Sequence, residues 1–174
     1  MLEIEHQILT RNNIDGGNEL IICHERFLRQ AAVFLLFCPE RGFLLEKRTS
    51  PGKSFFGRTV IPGGNIENQG EGAFPLWAAQ RECLEEIGVF PKNVAALPLV
   101  ADSNQRCILH PFLFVGSMTG EPINREPEKN ELVWKRPEEV FAREGINPAL
   151  DLPQTTQAIL LSAKLTMSQY GMCA

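Results

Sequence analysis

Apolar residues recur along this chain in two rhythms. From Arg29 to Cys38 the run Arg-Gln-Ala-Ala-Val-Phe-Leu-Leu-Phe-Cys is almost continuously apolar, and Phe43-Leu44-Leu45 resumes it after the turn Pro39-Glu40-Arg41-Gly42. Runs of this kind predict a buried strand hairpin, here ending in the exposed charges Glu46-Lys47-Arg48. Between Leu76 and Ile87 the rhythm changes. At ~100° per residue, Leu76, Ala79, Cys83 and Ile87 fall on one side of a helix and Arg81, Glu82, Glu85 and Glu86 on the other. Gly88 suits a left-handed cap and Pro91 opposes continuation, so the helix is expected to stop at about Ile87.

Downstream, Val94 to Ala101, Arg106 to Gly116 and Glu131 to Lys135 read as strands, and Gly116 to Asn130 as a long loop of the kind that carries function. Arg136-Pro137-Glu138-Glu139 opens a helix through Phe141, proline suiting its first turn and the glutamates its dipole. After Leu152-Pro153 a last helix is expected to bury Ile159, Leu160, Ala163 and Met167. Upstream, a short alternating pattern around the turn Asp15-Gly16-Gly17-Asn18 predicts two strands. Residues 1–28 are therefore read as an N-terminal β-hairpin extension, either appended to the domain or used as the arm of a homodimer, and residues 29–174 as one domain. Strands interspersed with helices suit a mixed β-sheet between helical layers.

Composition narrows this picture. A chain of 174 residues with 44% hydrophobic content can bury one proper core. A formal charge of -4 without a Lys/Arg block argues against a nucleic acid polymer as partner, since such binding depends on phosphate neutralisation. Cys23, Cys38, Cys83, Cys107 and Cys173 form no Cys-x-x-Cys pair, and their odd count fits a reducing cytoplasm. His6, His24 and His110 lack metal-ligand spacing and are read as structural. No apolar run approaches the ~20 residues of a spanning helix, and no signal segment opens the chain, so no membrane role is expected.

The acidic helix face is where chemistry enters. Glu82, Glu85 and Glu86 stand at i, i+3 and i+4, and like charges so placed repel by roughly 0.2–0.5 kcal/mol per pair. A hard divalent cation relieves that repulsion. Magnesium takes oxygen ligands while keeping some of its water, so a few carboxylates together with substrate phosphate oxygens suit it. Just upstream, the loop Thr49 to Thr59 contains Pro51, Gly52 and Gly57, and Lys47, Arg48, Lys53 and Arg58 cluster there as candidate phosphate-binding cations. Phe55 and Phe56 are candidates either to stack on a base or to close a core edge.

The segment Pro62-Gly63-Gly64, then glutamate, then Arg81-Glu82-Cys83-Leu84-Glu85-Glu86-Ile87-Gly88-Val89 resembles the signature of the Nudix hydrolases. In that signature glycine, five residues, glutamate, seven residues and Arg-Glu-U-x-Glu-Glu-x-Gly-U form a loop-helix-loop, U being a bulky aliphatic. Here Cys83 replaces an aliphatic, six residues separate Gly64 from Glu71, and nine separate Glu71 from Arg81. The loop is thus longer by three residues in total, and either Glu71 or Glu67 takes the place of the first glutamate.

The resemblance implies an α/β/α sandwich and a diphosphatase that uses Mg2+ (or Mn2+) to hydrolyse a nucleoside diphosphate linked to another moiety. By position, it implies Gly63, Glu82, Glu85 and Glu86 as metal ligands, with Glu82 as ligand or base and Arg81 orienting the carboxylates. A carboxylate from a later loop joins such sites; Glu126, Glu128 and Glu131 compete for the role, and Glu131 is preferred. Arg48, Lys53, Phe56 and Arg58 are the expected substrate-binding residues.

Three narrower readings stand beside this one. Leu44-Leu45-x-x-Arg48-Thr49, Lys53, Gly57 and Ile61-Pro62-Gly63-Gly64 resemble in spacing a motif of the coenzyme A pyrophosphatases, with Glu46, Thr49, Lys53 and Ile61 departing from it. Cys23-His24-Glu25-Arg26 and Glu46-Lys47-Arg48 look somewhat like the isopentenyl diphosphate isomerases, although their catalytic cysteine motif is missing. The lengthened loop also admits a non-catalytic nucleotide-binding protein. Retention of three mutually repelling glutamates argues against that last reading.

Overall fold

The computed structural model describes residues 29–52, 54–66, 74–91, 94–101, 107–116 and 121–169. The expected hairpin over residues 1–28, together with Lys53, Glu67 and Glu71, lies outside them. The first apolar run forms β1 (Arg29–Cys38), and the second forms β2 (Gly42–Arg48). Then come β3 (Thr59–Val60), β4 (Gly63–Asn65), helix α1 (Pro75–Ile87), β5 (Val94–Ala96), β6 (Val100–Ala101), β7 (Cys107–Val115), β8 (Asn130–Lys135), the single turn α2 (Pro137–Val140) and helix α3 (Gln154–Gln169). The single strand expected over Val94 to Ala101 is two short ones. Both pair with β7, and Leu97 between them sends its N–H to Pro111 O at 2.9 Å.

The sheet is mixed. Strand β1 runs parallel to β7 from Arg29 opposite Cys107 to Phe37 opposite Val115, while its other neighbours are antiparallel. The other edge of β1 is shared: Leu36 to Cys38 pair with β2, and Ala31 to Val33 pair with β4. Between them Phe34 N–H donates to Pro62 O at 3.0 Å. The glycine segment therefore enters the sheet where β2 turns away toward β3 and β8.

Alternation along β1 sorts side chains to two faces. Val33, Leu35 and Phe37 pack with Phe43, Leu45 and the α3 residues Ile159, Leu160, Ala163 and Met167. Ala32, Phe34 and Leu36 pack with Leu44 and the α1 residues Ala78, Ala79, Cys83 and Ile87. A strand buried on both faces has no polar phase, which is why β1 reads as a continuous apolar run. Full burial of each large side chain contributes about 1.5–3 kcal/mol, so the two clusters hold α1 and α3 on opposite faces of the sheet.

Candidate functional site

Helix α1 forms where its period predicts. Pro75 occupies the first turn, Gly88 adopts φ 70° as the cap, and its N–H returns to Leu84 O at 3.1 Å. Two glycines bring this helix close to the sheet. Gly63 has φ 151°, and a Cβ there would lie 2.6 Å from Val33 Cα on β1. At Gly64 a Cβ would stand inside the carboxylate of Glu82. Only glycine at the second position lets Glu82 lie flat against β4.

Arg81 fastens that arrangement. Its Nη2 donates to Asn65 O at 3.1 Å and to Glu82 Oε1 at 2.6 Å, and its Nε stands 4.0 Å from Glu85 Oε2. Burial pushes the Glu82 carboxyl above its ordinary value; Arg81 opposes this, while Glu85 and Glu126 add to it. Glu86, one turn on, is pushed up to about 8, chiefly by burial and then by Glu46 and Glu82, and its Oε2 is buried without a hydrogen-bond partner. Glu85 differs: its side chain is 61% exposed.

A loop supplies the opposite wall. Ile123 N–H donates to Ile87 O at 3.0 Å and Arg125 N–H to Glu86 O at 2.9 Å, so residues 121–129 dock on carbonyls at the end of α1. Asn124 accepts from Glu126 N–H at 2.9 Å and donates to Asn130 O at 2.8 Å. Lys129 and Asn130 N–H groups return to Glu126 O at 2.9 and 3.2 Å, while Lys129 O accepts from Thr49 and Ser50. Thus held, Glu126 and Lys129 form an ion pair at the mouth of a cavity of about 490 Å³. Arg48, Gly64, Asn65, Arg81 and Glu82 line the rest of it.

The structure brings together Arg48, Arg81, Glu82 and Glu86 of the residues expected from sequence, with Gly63 beside the lining Gly64 and Glu85 at the exposed edge. It does not bring Glu131. From β8 that residue pairs with Lys47 of β2 and is exposed, one position out of phase with Leu132 and Trp134, which pack on the α1 face, and in phase with Val133, which packs on the α3 face. Glu126 is the member of the trio that reaches the cavity, and Glu128 is exposed. Arg58 is likewise elsewhere, its Nε donating to Asp151 Oδ1 at 2.8 Å. Phe56 is 54% exposed on its loop and does not line the cavity.

Glu46, read from sequence as exposed charge, is 1% exposed. It follows Leu44 in the strand's alternation and so points to the α1 face, opposite Val60 on β3 and Leu132 on β8. Burial pushes its carboxyl up, Arg48 and Asn130 oppose this, and Glu126 adds to it. Arg48 Nη2 approaches Glu46 Oε2 to 3.2 Å in an ion pair, and the Asn130 side chain serves the same carboxylate. The signal was available in sequence: Leu44, Glu46 and Arg48 share one phase.

Among the described residues no three His, Cys, Asp or Glu side chains form a ligand group by themselves. Magnesium does not require one, because one or two carboxylates with water and phosphate oxygens suffice. The donor set fits such an ion: hard oxygens, with Glu86 Oε2 buried and short of donors. Among the described residues no helix is long and apolar enough to cross a membrane.

A family model described as NUDIX domain matches residues 28–153. In structure the chain is similar to a MutT NUDIX hydrolase from Burkholderia pseudomallei, with TM-score 0.57 and 22% identity over 77% of this chain and 96% of that one. It is also similar to the NUDIX domain of Shewanella oneidensis NrtR complexed with ADP ribose, with TM-score 0.64 and 16% identity over 80% and 88% of the two chains. At such identities the structural likeness speaks to the fold. No curated protein matches the chain in sequence.

Proposed function

Since the chain belongs to the NUDIX family, as the match over residues 28–153 shows, we propose that it is a metal-dependent diphosphatase acting on a nucleoside diphosphate linked to a second moiety. The observation that carries this reading is the single cavity in which Glu82 and Glu126 face Arg48 and Lys129, with the buried Glu86 on the same helix face as Glu82. Acids there suit cation binding and proton transfer; bases there suit phosphate.

Glu82, Glu85 and Glu86, with the carbonyl of Gly63, are the groups that would hold magnesium or manganese. When bound, the ion supplies neutralisation of the diphosphate and a lowered pKa for the attacking water. The remaining work falls to the chain. Arg48 and Lys129 take phosphate oxygens, Arg81 keeps Glu82 turned toward β4, and Glu126 or Glu82 accepts the proton from water. Glu126 replaces Glu131 in this assignment because the docked loop, not β8, supplies the carboxylate. Lys53 stays in it as a peripheral phosphate contact proposed from sequence. The partner is a small nucleotide in this reading.

A product assay tests it. ADP-ribose is the first substrate to offer, because the structurally similar NrtR domain was crystallised with it. Coenzyme A, dinucleotides, nucleotide sugars, nucleoside triphosphates and isopentenyl diphosphate complete the series. We expect cleavage within a diphosphate only when magnesium or manganese is present. Undiminished turnover after exhaustive chelation, isomerisation of isopentenyl diphosphate without cleavage, or saturable nucleotide binding without turnover under any metal would each overturn the reading.

A further inference from the structure

The chain places a carboxylate where its own pattern calls for a hydrocarbon. Leu44 packs in the α1 cluster, and Leu132, directly across from Glu46 on β8, packs there too. An apolar residue at position 46 would complete that patch. Ion pairs taken out of water rarely stabilise a fold, and apolar replacements of similar volume are often neutral or stabilising. The burial of Glu46 therefore has its explanation in the group beside it rather than in the core.

That group is Arg48, two residues along the same face, with Nη2 3.2 Å from Glu46 Oε2 and its side chain 22% exposed at the cavity. Glu46 is buried, and its backbone is held on both edges. Its strand is paired to β3 on one edge, Glu46 against Val60, and to β8 on the other, Glu46 against Leu132. Asn130 lies opposite Arg48 on the same edge, and its side chain serves the Glu46 carboxylate. A guanidinium is planar with five N–H donors, so an ion-paired carboxylate at its inner side restrains it and leaves outward donors for an incoming oxyanion.

We propose that Glu46 is a positioning residue for Arg48: a buried carboxylate that fixes the guanidinium toward the cavity so that its free N–H groups meet the phosphate oxygens of a diphosphate. The consequence for ligands rests on the reading of the cavity given above, whereas the tethering of Arg48 does not. In a lysine at position 48 the plane would be lost, and Glu46 would hold only a point charge.

The test separates the two parts. Nitrogen-15 relaxation of the Arg48 Nε–H group, assigned through its loss in Arg48→Lys, reports the tether directly, and calorimetry with inorganic pyrophosphate and magnesium reports its use. Glu46→Gln keeps the volume and removes the charge. We expect it to mobilise the Arg48 group, to weaken pyrophosphate by about tenfold, as for one charge-assisted hydrogen bond, and to leave the melting temperature in chelating buffer unchanged or higher. Glu46→Asp should recover part of the order. An Arg48 signal equally ordered in Glu46→Gln overturns the proposal. So does weaker magnesium binding with Arg48 unmoved, which would make Glu46 a metal ligand. If the wild-type chain binds no pyrophosphate while Glu46→Gln still mobilises Arg48, the tether stands and the diphosphatase reading falls.

Discussion

The two faces of the sheet are built from the same strands and end differently. On the α3 face Phe43 and Leu45 of β2 meet Ile159, Leu160, Ala163 and Met167, and hydrocarbon fills the contact. On the α1 face Leu44 meets Cys83 and Ile87, but the next residue in phase is Glu46 and the next is Arg48. The helix opposite changes in step, its polar face turning Glu82 and Glu86 toward that end. One face is a core that spends its burial on stability; the other gives up some stability to hold like charges together. Groups of one sign forced close and out of water are where a bound cation and a proton transfer become useful.

This contrast can be broken most strongly at Glu126. Exchange to Gln is expected to lower turnover by roughly 10²–10⁴ if this carboxylate accepts the proton from water, with the loop still docked through its backbone bonds to Ile87 and Glu86. Unchanged steady-state kinetics would hand the role to Glu82, to be tested by the same substitution.

The α3 face should behave in the opposite manner. Leu160 is fully buried, so Leu160→Ala is expected to cost about 2–5 kcal/mol by denaturant unfolding. The folded fraction should keep its specific activity. A turnover loss per folded molecule as large as that of Glu126→Gln would erase the distinction between the faces.

A smaller effect sharpens it. Burial and the neighbouring carboxylates push the Glu86 carboxyl from 4.5 up to about 8. The folded state then binds a proton that the unfolded chain has released, so this stabilisation is complete below the ordinary value and is lost as pH rises to about 8. Melting temperature without metal should therefore fall across that window. Glu86→Gln should flatten the fall, leaving the part due to Glu46 and Glu82, which are raised in the same direction. Melting that rises with pH between those limits would count against the buried-acid description.

The smallest effect is expected at Glu131. It is exposed and, from β8, paired across the ladder with Lys47 of β2 in the phase opposite to the α1 face. Glu131→Gln should change turnover and stability little, within about 0.5 kcal/mol for the latter. A turnover loss approaching that of Glu126→Gln would restore Glu131 to the site.

Much of this was legible in the chain because it rests on local rules. The apolar run of β1, the period and glycine cap of α1, the three glutamates on its polar face and the core positions of α3 are all properties of neighbouring residues, and a period or a cap needs no distant partner. The glycine pair before α1 was legible for the same reason, although the contact it permits, Gly64 against Glu82, was not. What only the tertiary structure decided involves residues far apart in sequence. Whether Glu126 or Glu131 reaches the cavity depends on the register of β8 against β2 and on a loop held by the carbonyls of α1. The partner of Arg58 is Asp151, which no spacing could indicate. Glu46 stands between these cases: its phase was written in the strand, but its burial followed only once β3, β8 and α1 had closed around it, because solvent is excluded by the assembly and not by the sequence of one strand.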